Sequence, residues 1–595
     1  MPRTQTSEKP QCHIYNNVEI GEVREIRQNV CVNDLPLAEN IDGKYYCLFH
    51  MPTEEKDIER FREIFNARLD LIDEKISNAD NLPEEERKKM LDEFSYNFPF
   101  VWFPIDVDLS HRIFFVEANF RAATFSAKAN FRNASFSNYA AFSSSFFLDA
   151  DFREASFAAG AYFGEAYFAE SATFSFASFS ASADFSLTSF FFASFSSTFF
   201  SMDADFKKAS FSSSTNFSSA TFSDSAEFSE ASFQDAVSFE GATFKKANFQ
   251  EAYFTEIAVF TKTTFTNDTS FRKTFFRASA YFTSATFHAD AYFNKTIFSS
   301  YVYFISANFL ETSQIFFQQT RFLGMADFHY SIFEGYVYFE GAEKEKLFMD
   351  GGTNEAVLSP QSARLKKPDR ISFHRVRLRP GWFVNVDSRK IVFTDIEWDN
   401  LNAKRKNGNI TSELESLRTR KIHKPDRLLE IACRQLAVNA EENNRYEEAA
   451  KFRYMAMETR RLEYKWQGRF WTMNWWYRLS SGYGENWKRA GIILLVILVF
   501  FGGLFWSPLS KFDYGEPRTA VIEKNEAETV SNETERFHSM NIVEGMVHSL
   551  YIAALQRPEP KAADTLTKFF VIMETILGPL QAALLALAIR RKFMR

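Results

Sequence analysis

Residues 161–179 read AYFGEAYFAESATFSFASF, with phenylalanine at 163, 168, 174 and 179 and an alanine two positions before each. From Phe163 through Phe168, Phe174, Phe179 and Phe185 to Phe190 the steps are 5, 6, 5, 6 and 5. The alternation recurs from Phe206 to Phe239 and from Phe260 to Phe309. A helix of period 3.6 cannot keep such positions on one stripe, and a flat strand of period 2 cannot keep odd and even steps on one face. The chain must therefore turn a corner between phenylalanines. A coil of four short sides meets the demand: each side sends one large residue inward, the preceding alanine fills the crowded corner, and the Ser, Thr, Asp, Glu, Lys and Asn between them form a solvated wall.

The composition agrees. The chain has 595 residues, too many for one ordinary core, and a net charge of -7, which excludes a generally basic nucleic-acid binder. Its 71 phenylalanines against 22 tyrosines and 9 tryptophans are an excess that a repeat explains. Four cysteines, at 12, 31, 47 and 433, are too few and too scattered for a secreted disulfide framework, and the first residues lack a signal-peptide core.

With ANFRAATF, ADFREASF, ADFKKASF and SATFHADAYF as its units, the segment from about Glu117 to Glu340 resembles the pentapeptide-repeat proteins. The resemblance implies a right-handed quadrilateral β-helix, so the fold class is mainly β. The regular six-step departs from a strict five-residue unit and predicts coils of about 22 residues with bulged corners, shorter at Phe185 to Phe206 and at Phe239 to Phe260. Ten coils separate Phe120 from Phe339. Some members of that family mimic DNA with an acidic rod, but here 22 acidic residues stand against 14 basic ones, a net of -8. No nucleic-acid partner is expected. An open-ended solenoid needs caps. The amphipathic stretch EEKDIERFREIFNARLDLIDEKI is read as one, and the alternating stretch ISFHRVRLRPGWFVNVDSRKIVFTDIEWDNL as the other.

Cys12, Cys31, Cys47 and His50 form the ligand set that zinc prefers, and the two-residue gap between Cys47 and His50 lets both reach one ion. A closed Cys3His sphere would make that zinc structural. The alternative is ordinary buried cysteines with a packed histidine. No motif for nucleophilic, phosphate-binding or metal-assisted catalysis appears, so no enzyme is expected.

Beyond the second cap, RLLEIACRQLAVNAEENNRYEEAAKFRYMAMETRRLEY reads as two antiparallel helices and resembles a tetratricopeptide unit. Six of the nine tryptophans then lie between Trp466 and Trp506 among basic residues, a mixture suited to the headgroup level of a bilayer. Residues 490–506 are seventeen uncharged positions, and Phe569 to Ile589 are a second apolar run interrupted by Glu574, Gly578 and Pro579. Lys488 and Arg489 before the first run, and Arg590, Arg591, Lys592 and Arg595 after the second, place both flanks and the rod in the cytoplasm of an integral plasma- or inner-membrane protein.

Between the two runs, NIVEGMVHSLYIAALQRPEP is helical but too short to cross. This order over residues 490–595 resembles the two-helix pore module of potassium-type channels. The resemblance implies an ion channel and a homo-oligomer, with Gly578 and Pro579 as the gating hinge. Where that family carries a T-V-G-Y-G-like filter this sequence reads AALQRPEPKA, so potassium selectivity is not expected. Glu574, Gly578 and Gln581 recur along one helical face and are expected to line a shared path with His548, Gln556 and Arg557. A membrane-anchored scaffold whose rod binds a cytoplasmic protein is the competing reading.

The expected organisation is a Cys/His segment (1–52), a helical cap (53–110), the β-helix (111–345), a β cap (346–410), a helical hairpin (411–465) and an aromatic, basic juxtamembrane helix (466–489). A transmembrane helix (490–507), external loop (508–540), pore-like helix and turn (541–560), second transmembrane helix (565–589) and basic tail (590–595) follow.

Overall fold

The computed structural model describes residues 37–41, 44–51, 56–79, 82–86, 95–341, 357–359, 364–399, 408–419, 422–463, 472–515 and 537–593. The chain divides into two compact units, residues 1–399 and 400–595.

The first unit is a β-solenoid of about 13 turns. One coil consists of the sides Ala118–Asn119, Thr124–Phe125, Ala129–Asn130 and Ser135–Phe136. Each pairs in parallel with the next coil, as in Asn119 with Ala141, Phe125 with Phe147, Ala129 with Ala150 and Phe136 with Phe157. The 5, 6 alternation has a local cause. In a five-step such as Phe120 to Phe125, Ala123 N donates to Phe120 O at 3.0 Å, and Ala122 between them takes φ +53°. That is a tight turn with a left-handed third residue. The corner from Phe136 to Phe142 has no left-handed residue and takes the extra one. Where that residue is missing, as between Phe147 and Phe152, the ladder shifts and Ala140 pairs with Ala161, a coil shorter by one. The same shortening is seen in the register of Ala183 with Ala204 and of Val237 with Ala258, the two places expected.

Phe163, Phe168, Phe174 and Phe179 and the alanines at 161, 166, 172 and 177 are all buried. Rings of successive coils stack nearly parallel, with Phe163 over Phe185 at 4.9 Å. Where threonine replaces the inward alanine, its hydroxyl is spent on the coil below: Thr188 Oγ1 donates to Phe163 O at 2.9 Å and Thr198 Oγ1 to Phe174 O at 2.8 Å. This satisfies the buried hydroxyl that an apolar core would otherwise leave unpaired.

The ends correct the expected boundaries. Tyr96–Asn97 already pairs with Ala118–Asn119, so the first coil starts inside the segment read as a helical cap. Ile371–His374 continues the stack on Val337–Glu340, and Phe373 pairs with Phe393. The stretch read as a separate β cap is thus the last part of the solenoid, closed by Phe383 and Trp398 over Phe393, with Trp382 buried in the same segment. The upstream end is covered by helix α1 (Ile58–Ala79), which buries Phe61, Phe65, Leu69, Ile72 and Ile76 and sets Phe65 5.1 Å from Phe98.

The second unit is helical. Helix α2 (Gly408–Thr419) precedes the hairpin of α3 (Pro425–Glu442) and α4 (Tyr446–Glu463), which turns at Asn444 with φ +58°. The expected juxtamembrane helix is broken: α5 (Met473–Ser481) stops at left-handed Gly482, and α6 (Trp487–Trp506) starts afresh with Asn486 as its N-cap. Helices α7 (Ile542–Ala553) and α8 (Thr565–Phe593) complete it, with a three-stranded antiparallel sheet in which Phe512–Asp513 lies between Phe537–His538 and Lys561–Ala562.

Candidate functional site

Helices α6 and α8 are long and apolar enough to cross a membrane. At 1.5 Å per residue the 20 residues of α6 span about 30 Å. Both present a run of exposed apolar positions: Ile492, Leu495, Val496 and Phe500 on α6, and Phe569, Ile572, Ile576 and Leu580 on α8. Such a stripe suits lipid.

Helix α7 runs between them. Asn541 caps it reciprocally with Glu544, and Met540 N donates to Phe505 O at 3.2 Å, so its start is pinned to the far end of α6. A glycine pair lets the two helices touch: a Cβ on Gly545 would stand 2.6 Å from Gly502 O. Toward α8, Ser549 Oγ hydrogen-bonds Glu574, and four residues later Ala553 lies against Gly578, where a Cβ would come within 3.0 Å of its own. Four residues on one helix match four on the other, so α7 and α8 run parallel. Gly578 is thirteen positions past Thr565, about 20 Å along the helix. Helix α7 therefore descends roughly that far between the two long helices. The chain then climbs back through residues 555–560 to the strand Lys561–Ala562, which pairs with Phe512–Asp513 just beyond the end of α6. The result is a hairpin between the two long helices, a short helix in one direction and an irregular segment back.

The side chains expected to line a shared path divide into two groups. Glu574 and Gln581 are buried within the single chain, and Gly578 packs on Ala553. Gln581 Nε2 donates to Ser480 O at 3.0 Å and to Ala490 O at 2.9 Å, tying α5, α6 and α8 together. The face they share is as expected, but it is turned to the chain's own helices. Within one chain Glu574 Oε1, Gln581 Nε2 and the missing Cβ of Gly578 are engaged by Ser549, the Ser480 and Ala490 carbonyls and Ala553, while Glu574 Oε2 is buried without a hydrogen-bond partner among the described residues. His548 is also buried, edge-on to Phe505 at 5.4 Å and to Phe512 at 5.1 Å. Gln556 and Arg557 remain exposed on the ascending segment. With His548, Tyr514, Tyr551 and Glu559 they border a cavity of about 520 Å³. Sequence reasoning missed Glu559 and Ser549. The alternation of proline and charge in QRPEP was the available signal for the former.

A model of pentapeptide repeats (9 copies) matches residues 206–252, 249–297 and 293–343. The parallel register of these residues carries the same pattern, with one inward phenylalanine per side. The solenoid is built of pentapeptide repeats. No curated protein and no solved structure matches the chain.

At the N-terminal end of this pentapeptide-repeat solenoid lie Cys47 and His50. Cys47 Sγ is 3.0 Å from His50 Nδ1, and His50 Nε2 is 3.1 Å from Pro99 O. A carbonyl only accepts, so Nε2 carries a proton and donates it to Pro99 O. That second hydrogen bond is the one a metal-binding histidine makes. Cys12 and Cys31 lie outside the described residues, and among the described residues no group of three ligands gathers. Beside the pair, buried Lys56 donates to Phe49 O at 2.9 Å and to Trp102 O, with its ammonium 4.4 Å from the Phe61 ring. Burial pushes it down to about 7, against the pull of Cys47.

Proposed function

We propose that the chain is the subunit of an oligomeric ion channel, framed by the re-entrant helix α7 and residues 555–560, with a cytoplasmic pentapeptide-repeat rod and no enzymatic activity. The observation that carries this reading is Arg557 and Glu559, exposed on irregular backbone between two helices long enough to span a bilayer. Within hydrocarbon, such backbone is tolerated only against protein or beside water, and charged side chains are confined to the same places. Copies of the chain arranged around the segment supply both. The exposed apolar flank of Val543, Leu550 and Leu555 gives those copies a surface to share. In this arrangement Gln556 and Arg557 border the path, while Glu574, Gly578 and Gln581 brace it from behind. The basic flanks of the two spans put both chain ends inside.

Planar-bilayer recording of the reconstituted oligomer tests this reading. Arg557→Gln should raise the preference for cations over anions, and Glu559→Gln should lower it, because fixed charge at a narrow passage repels like ions. A monomer in detergent, or silent bilayers under varied voltage, tension and lipid, would overturn it.

The scaffold reading draws on the outer wall of the rod, where Tyr292, Phe316 and Tyr338 stack at 5.1 Å and Tyr281 and Tyr303 at 4.9 Å. Half-buried aromatic columns of this kind suit a protein partner. We also propose a structural zinc at Cys47 and His50, completed by Cys12 and Cys31. Metal analysis finding none in purified full-length protein would remove it.

A further inference from the structure

We propose that the α3–α4 hairpin is coupled to the inner end of the second span through one shared carboxylate, Glu485, and so acts as a control arm for the membrane module. What the arm regulates rests on the channel reading; the coupling itself does not.

Glu485 sits in the short connection between α5 and α6, largely buried. Its Oε1 accepts from Arg453 Nε of α4 at 3.0 Å and from Arg591 Nη1, near the end of α8, at 3.1 Å. One oxygen thus joins two helices that are far apart in sequence. Each arginine is held from a second side as well. Arg453 also pairs with Glu441 of α3, and Arg591 Nη1 donates to Tyr483 O at 3.1 Å. A second carboxylate secures the same connection from the hairpin. Glu458 of α4 accepts from Tyr483 Oη at 2.9 Å and Arg461 Nη2 at 2.6 Å, and lies 3.3 Å from Arg478 of α5. Gly484, at φ +77°, makes the crossing tight: a Cβ there would meet Tyr477 Oη at 2.7 Å and Arg591 Nη1 at 3.0 Å.

Removing one member of a buried ion pair leaves the other charge uncompensated, which costs more than the pair contributes. The hairpin therefore cannot shift by a side-chain length and leave Arg591 where it is. A displacement imposed on α4, by a bound partner or by tension, has to be answered at the inner end of α8. The charged groups in the two clusters are carboxylates and guanidiniums with one tyrosine, and no histidine, so the coupling is built for displacement rather than for a change of pH near neutrality.

Hydrogen exchange of the full-length protein in lipid nanodiscs tests the coupling. Arg453→Gln alters a residue whose ion pairs are with Glu441 and Glu485 and not with α8. It should raise exchange of the last turns of α8, around Arg591, about tenfold, as expected for local opening when Glu485 loses one of the two arginines that fix its position and Arg591 is left on a carboxylate no longer held from the hairpin. Arg434→Gln, which breaks only the hairpin's pair with Glu430, should leave those turns unchanged. Should Arg453→Gln fail to fold, Arg453→Lys, which keeps the charge and loses the fork, should give a smaller rise at the same place. Increased exchange confined to α3 and α4 in the folded variants, or an equal rise in Arg434→Gln, overturns the coupling. Recordings on the same preparations separate the two claims: a silent wild type with coupled exchange ends the channel reading alone.

Discussion

Phe228 illustrates what each coil asks of one side chain. Its ring is fully buried, stacked between Phe206 at 4.8 Å and Phe249 at 4.9 Å, with the edges of Phe217 and Phe239 turned to it. Truncating such a ring costs about 3–5 kcal/mol, and a carboxylate there would in addition be desolvated without a partner. Full-length Phe228→Asp is therefore expected only in the insoluble fraction, while Phe228→Leu stays soluble and melts earlier; soluble Phe228→Asp with unchanged β-rich circular dichroism would contradict the stacked core. Lys56 makes a second prediction at this scale. Its folded pKa of about 7 lies below the value near 10.4 of an unfolded lysine, so between these limits the unfolded chain binds more protons. Folding of the end coil then gains as pH rises from about 7 to 10, and below 7 the penalty is constant because both states are charged. Radical footprinting of Trp102 in urea should show its opening midpoint rising across that window in the wild type and flat in Lys56→Met.

The individual elements differ in how far a sequence can reveal them. The turn between Phe120 and Ala123 recurs from coil to coil, so its demand on spacing is repeated until the 5, 6 rhythm is unmistakable. The face shared by Glu574, Gly578 and Gln581 was legible for the same reason, since helical period is local. What that face meets was not legible: Ser549, Ser480 and Ala490 come from other elements, and nothing within α8 names them. The depth of α7 was hidden likewise, because it depends on the pairing of Lys561–Ala562 with Phe512–Asp513 across a long stretch of chain. Ile371–His374 was seen as strand, yet its place in the stack needed the register with Val337–Glu340. That register predicts an outcome. A fragment ending at residue 345 exposes the strand Tyr336–Glu340 as an open edge and should aggregate, whereas one ending at 399 keeps Trp382 and Trp398 in place and should remain monodisperse by light scattering. Equal behaviour of the two would argue against the extended solenoid.

For the whole molecule, the decisive issue is which side of a bilayer each part occupies. On the proposed membrane reading, the basic residues flanking both spans put the residues between the spans outside and the solenoid inside. In intact cells, a cysteine placed at Ser531 should react with a membrane-impermeant thiol reagent and one placed at Ser300 should not; the reverse pattern would invert the orientation.

The stacked coils also have a mechanical consequence. Hydrogen bonds between neighbouring coils run along the axis of the solenoid, as in Phe163 N to Asp184 O at 2.6 Å, and each coil is bonded chiefly to its neighbours, with Glu311 reaching past one coil to Lys367 and Arg370. Pushed from its ends, the solenoid is resisted by rings already in contact at 4.7–5.0 Å through most of its length, so it is stiff in compression. Pulled from its ends, it has only the bonds between one coil and the next to oppose the force, and the outermost coil peels first without loosening the rest. Its resistance to extension is set by one interface, whatever the number of coils, and each coil that yields releases about twenty residues of slack.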